Sequence, residues 1–218
     1  MDIQNIITHE TARQDAYKSL ANLYRLPEKT IQENLDVLTE QLMILNSKSA
    51  SYLTDMQTDF DQNSDLDLLK VEFTRLFIGP YSLPAPPYGS VYIENERKVM
   101  GDSTMDARKR YQHFGLDIPG NFKDVPDHIT VELEFIFFLI FKEIVHIQSN
   151  LPEQAQELLF HQKSFHTDHL NIWIPEFTDC VIEYTGTQFY RNLATATKIF
   201  ITEELEYLES VCVSVTPS

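Results

Sequence analysis

From Tyr17 to Leu208 the large apolar residues recur every three or four positions, a spacing that restricts the chain to helices. Tyr17, Leu20, Ala21 and Tyr24 form a first stripe, ended by Pro27. Ile31, Leu35, Leu38, Leu42 and Leu45 form a second, introduced by Thr30 and Glu33 at the spacing of a capping box. Leu53, Met56 and Phe60 make a shorter one, and Leu66, Leu69, Phe73, Leu76 and Phe77 a fourth that Gly79-Pro80 stops. Met105, Tyr111 and Phe114 precede Gly115, after which Leu116 to Pro126 reads as a loop. The strongest segment runs from Asp127 to about Gln148. Its apolar residues, including Leu133, Ile136, Phe137, Ile140, Phe141, Ile144 and Val145, are too broadly spread for burial on one side only. Leu158 to Phe160, then Phe177, Val181 and Ile182, then Phe189, Leu193, Ala196, Phe200, Leu205 and Leu208 complete the series. Two-residue alternation is confined to Ser90 to Ile93. The spacing predicts an all-α, single-domain helical bundle over 1–218, with a frayed tail at 212–218.

One stretch breaks the pattern. Residues 79–102 carry Pro80, Pro84, Pro86 and Pro87 with Gly79, Gly89 and Gly101, a density that no helix tolerates. Tyr81, Leu83, Tyr88, Val91 and Tyr92 are interleaved with them. Apolar and aromatic residues in a loop held between helices predict a packed functional loop rather than a linker. Prolines keep such a groove open at low entropic cost, and tyrosines offer a flat face with a polar tip to a peptide or an arginine.

Charge narrows the partners. With 33 acidic and 17 basic residues the formal net charge is −16, which repels nucleic-acid phosphates and attracts cationic partners. No apolar run reaches the roughly 20 residues of a membrane span, because Lys142, Glu143 and His146 interrupt the longest candidate. Met1 to Thr11 lacks the basic start and apolar core of a signal peptide, so a cytoplasmic location is expected. Cys180 and Cys212 are isolated, which excludes a cysteine zinc site. Phosphate-cradling glycine motifs and the nucleophile elbow are absent.

The remaining candidates are few. His161, His166 and His169 lie near Asp168, but only the last two histidines share a helix face, so surface histidines are expected rather than metal ligands. Cys180 sits in the Phe177 and Val181 stripe, as a buried structural cysteine would. Asp127 directly precedes the long core helix, with His128 in its first turn and Glu132 one turn on. An N-cap is the plain role for Asp127; beside the aromatic loop, the same group could meet a ligand.

The stretches Glu72 to Pro80, Leu83 to Tyr92, Gly101 to Thr104 and Pro126 to His128 resemble the DmsD/TorD family of redox-enzyme maturation chaperones, nearest to its dimethyl-sulfoxide-reductase branch. Order and spacing agree from about Leu66 to Leu139. The resemblance implies an all-helical fold, no catalytic machinery and no cofactor. It implies a partner, the twin-arginine signal peptide of a molybdenum reductase catalytic subunit, and extends to the twin-arginine translocation machinery. It carries binding positions over to Tyr81, Leu83, Pro84, Pro86, Pro87, Tyr88, Ser90, Tyr92, Asp127 and His128. Glu132 joins them by its position one turn into the core helix. Tyrosine stands at Tyr81, Tyr88 and Tyr92 where close relatives carry tryptophan, and His161 to Trp173 departs from the family pattern. Two alternatives stay open at this point: an adaptor for another anaerobic respiratory enzyme subunit, and a small helical nucleotide-binding enzyme.

Overall fold

A computed structural model describes residues 2–63, 65–80, 82–94, 100–116 and 125–212, without the side chains of 58–63. The described residues are helical: α1 (Ile3–Leu23), α2 (Ile31–Ile44), α3 (Ala50–Asn63), α4 (Leu66–Phe73), α5 (Gly89–Ile93), α6 (Asp102–His113), α7 (Ile129–Gln148), α8 (Pro152–Phe165), α9 (Asn171–Tyr184) and α10 (Gln188–Cys212). Two π-helical turns, Thr74–Ile78 after α4 and His166–Leu170 between α8 and α9, continue their helices with a wider coil. The all-α expectation therefore holds. The 213–218 part of the expected frayed tail lies outside the described residues, and Cys212 is the buried last residue of α10.

α1 packs against α2 and α7, α7 against α8, and α10 against α3, α8 and α9. The broad apolar face of α7 is explained by this central position. Ile129, Leu133, Ile136, Leu139 and Ile140 are fully buried, whereas Phe141 and Val145 face outward. Gly79, at φ 97, ends the first π turn in a conformation that only glycine adopts without strain, and turns the chain into the proline loop.

Several local expectations are corrected. Residues 90–93 are not strand-like; they lie in the one-turn helix α5, whose Gly89, Ser90, Val91 and Tyr92 are all buried. Thr30 occupies the N-cap of α2 but its side chain makes no cap bond, so no capping box forms. His166 and His169 are buried rather than superficial, because the π turn swings both inward. Cys180 is half-buried.

The bundle also encloses charge. Arg13 of α1 is fully buried and donates to Glu204 Oε2 of α10 at 3.0 Å and to Gln162 Oε1 of α8 at 2.9 Å, and pairs with Glu10. Gln162 Nε2 donates to Glu143 Oε2 of α7 at 2.7 Å. Three carboxylates thus surround one guanidinium, and they cannot all be ionised cheaply. Burial, with Glu10 adding to it, pushes the Glu143 carboxyl up to about 8. Glu10 is held at about 2, because Arg13 and donors from His9 and Tyr207 outweigh its burial.

Candidate functional site

The proline loop and the start of α7 form one hydrogen-bonded unit. Gly89 N donates to Asp127 O at 2.9 Å, and Ile129 N to Pro87 O at 3.0 Å. Between these bonds Tyr88 and His128 face each other as an antiparallel bridge, their rings 5.2 Å apart and at 70°. Asp127 is completely buried, and its Oδ2 accepts the Ser90 amide at 2.7 Å. It therefore holds the first turn of α5, not α7. The cap of α7 is His128, whose Nδ1 accepts from Thr130 N at 3.2 Å. The sequence placed that cap one residue too early, since aspartate is the commoner cap.

Below this unit lies Trp173 of α9, the single tryptophan of the chain and fully buried. Its ring stacks on Tyr92 at 5.8 Å and 20°, and its Nε1 donates to Glu132 Oε2 at 2.8 Å. Gly89 fits directly against the indole: a Cβ there would come within 3.1 Å of Trp173 Nε1. On its other side Glu132 faces His169, with Oε1 3.6 Å from Nδ1. His169 Nε2 contacts Asp106 Oδ2 at 2.9 Å. Arg110 then ties Asp106 to Asp168, at 2.7 Å to each. A polar chain thus runs from beneath the loop to the surface of α6.

Burial raises the Glu132 carboxyl, against the pull of His169 and Trp173. Burial alone would lower His169, but the carboxylates of Glu132 and Asp106 outweigh it and raise the imidazole. Ser90 Oγ, Asp127 Oδ1 and Glu132 Oε1 are buried without a hydrogen-bond partner. Such atoms retain acceptor capacity and cost stability while unused.

The expected binding residues divide by exposure. Leu83, Pro84, Pro86, Tyr88 and His128 are partly exposed, whereas Pro87, Ser90, Tyr92, Asp127 and Glu132 are buried. Tyr81 falls outside the described residues. Sequence reasoning brought the loop and Asp127 together correctly, but missed Trp173, His169, Asp106 and Arg110. A lone tryptophan was the available signal for the first.

Tyr111, whose hydroxyl donates to Pro126 O at 2.8 Å, borders an apolar cleft of about 400 Å³ that Val131, Phe135, Phe137, Phe138 and Lys18 also line. Lys18 and Asn22 are shared with a second, more polar hollow of about 610 Å³ between α1 and the start of α2. Among the described residues no group of three or more histidine, cysteine or acidic side chains could hold a metal ion, and no helix is long and apolar enough to cross a membrane.

Residues 28–179 match the family model described as nitrate reductase delta subunit. The Tat proofreading chaperone DmsD of Salmonella typhi is 30% identical over 129 residues, covering 59% of this chain. The match spans little more than half, 56%, of that relative's length. The chaperone protein TorD of Aliivibrio salmonicida is 23% identical over 214 residues, 94% of this chain and 91% of the relative. A solved structure described as a redox enzyme maturation protein, from Archaeoglobus fulgidus, shares the fold with a TM-score of 0.50 at 23% identity, covering 90% of this chain and 93% of that one.

Proposed function

We propose, for a chain that belongs to the nitrate reductase delta subunit family, that it is a cytoplasmic redox-enzyme maturation chaperone without catalytic activity. Its client is the twin-arginine signal peptide of a molybdenum reductase catalytic subunit, which it holds until that subunit is ready for export. The observation that carries the reading is the junction of the proline loop with the start of α7. There Leu83, Pro84, Pro86, Tyr88 and His128 are partly exposed, and the carboxylates of Asp127 and Glu132 are buried. Carboxylates with spare lone pairs suit a guanidinium, whose five N–H donors form a planar fork. The cleft beside Tyr111, with Phe135 and Phe138, suits the apolar stretch that follows the arginines in such a peptide. The net charge of −16 draws a cationic peptide in. Tyr81 completes the proposed binding set.

Calorimetric titration with a synthetic peptide of two consecutive arginines and a leucine-rich stretch tests this. Binding at 1:1, strongly weakened when both arginines become alanine, is expected. Equal affinity for the two peptides would remove the reading. Capture of client protein that survives deletion of its signal segment would favour an adaptor instead.

A further inference from the structure

The two buried carboxylates, Asp127 and Glu132, are bonded to α5 and to α9. Asp127 Oδ2 takes the Ser90 amide of α5, and Glu132 Oε2 takes the indole of Trp173, on which Tyr92 of α5 is stacked. Both residues are buried; the second oxygen of Asp127 has no hydrogen-bond partner, and that of Glu132 faces His169 at 3.6 Å. Both carboxylates are closed to solvent, and the Ser90 amide sits on Asp127.

We propose that residues 87–92 are a strap, closed in the ligand-free protein, which a bound basic peptide opens by exchanging the Ser90 amide and the Trp173 indole for its own guanidinium donors on Asp127 and Glu132. The proposal rests on the peptide-binding reading of this site and adds that the resting site is shut and that Trp173 is its latch. The closed strap is held by the Ser90 bond, by Gly89 N to Asp127 O and Ile129 N to Pro87 O, and by the ring stack. The two donors to be exchanged are neutral, and a cationic donor forms hydrogen bonds roughly twice as strong with a carboxylate. The unpartnered Asp127 Oδ1 lets that carboxylate accept more from the incoming group than it surrenders. On the far side, His169 remains against Glu132 and keeps that side chain oriented toward the strap. Closure is tight at one point: glycine at 89 is what allows α5 to rest on the indole.

Because Trp173 is the only tryptophan, its emission reports this one place. The peptide of two consecutive arginines with a leucine-rich stretch is titrated into the full chain, followed by calorimetry and by fluorescence. The expected result is a red shift of emission with the same midpoint as the heat. Heat without a change in emission would overturn the strap and leave the binding reading standing; absence of heat would remove both. Two variants extend the test by weakening the closed state. Gly89→Ala crowds the indole, and Trp173→Phe keeps a ring but removes the N–H donor. Raising the open fraction tightens apparent binding in proportion, so roughly three- to tenfold higher affinity is expected of each folded variant. Unchanged or weaker binding by both would overturn the latch.

Discussion

Replacing Glu143 by glutamine should stabilise the protein, and only on the alkaline side. In the folded chain this carboxyl titrates at about 8, against an ordinary value of 4.5. Between those two values the folded state holds a proton that the unfolded state has lost, so stability falls as pH rises across that window. At about 1.4 kcal/mol per pH unit, the interval from 4.5 to about 8 amounts to an upper bound of roughly 5 kcal/mol, and 3–5 kcal/mol is the working range. Glutamine occupies the same volume, offers Gln162 Nε2 the same acceptor at the end of its 2.7 Å bond, and cannot ionise. It leaves Arg13 with Glu10 and Glu204 as its charged partners. The assay is urea or thermal unfolding of wild type and Glu143→Gln at pH 5 and pH 8.5. Near pH 5 the two should differ little. At pH 8.5 the variant should be more stable by about 3–5 kcal/mol, on the order of 10 °C in melting temperature for a chain of this size. An equal gap at both pH values, or a variant less stable at pH 8.5, would refute the account of Glu143 as a proton-holding partner of the Arg13 cluster.

Other outcomes follow from the same geometry. Burial drives His166 down to about 3, below its ordinary 6.5, so it lends stability above 6.5 that is lost as pH falls toward about 3; His166→Gln should flatten the acid side of the pH–stability curve, and an unchanged slope would contradict this. Asp127→Asn keeps an acceptor for the Ser90 amide, so melting should barely move while peptide affinity drops roughly ten- to a hundredfold, the worth of a charge-assisted bond; unchanged affinity by titration would return Asp127 to a purely structural role. In stopped-flow experiments, added salt should slow association more than it speeds release, and an on-rate indifferent to salt would remove electrostatic steering.

The helices were legible because apolar spacing is a local property, and the long stripe of α7 carried its own evidence for a central position. The proline loop was legible as a packed feature for the same reason, and it does pack on Asp127 and His128. Three things were not. A pattern of Ser90, Val91, Tyr92 and Ile93 is too short to separate one helical turn from an edge strand, and packing on Trp173 decided it. His166 and His169 look polar and superficial at ordinary helical spacing, and only the π turn brings both inside. The polar chain from Trp173 through Glu132 and His169 to Asp106 joins three helices and a π turn, so no window of sequence contains it.

The pairing of Arg13 with Glu204 joins α1 to α10 across 191 positions of chain. During synthesis α1 leaves the ribosome long before α10, and until then its guanidinium has Glu10 as a charged partner but not the one that completes its coordination. Burying a half-compensated charge costs several kcal/mol, so α1 has no favourable resting place in the nascent chain. Final docking of α1 should therefore wait for α10, and a chain stalled or cut before residue 204 should remain loosely packed and open to proteases around α1.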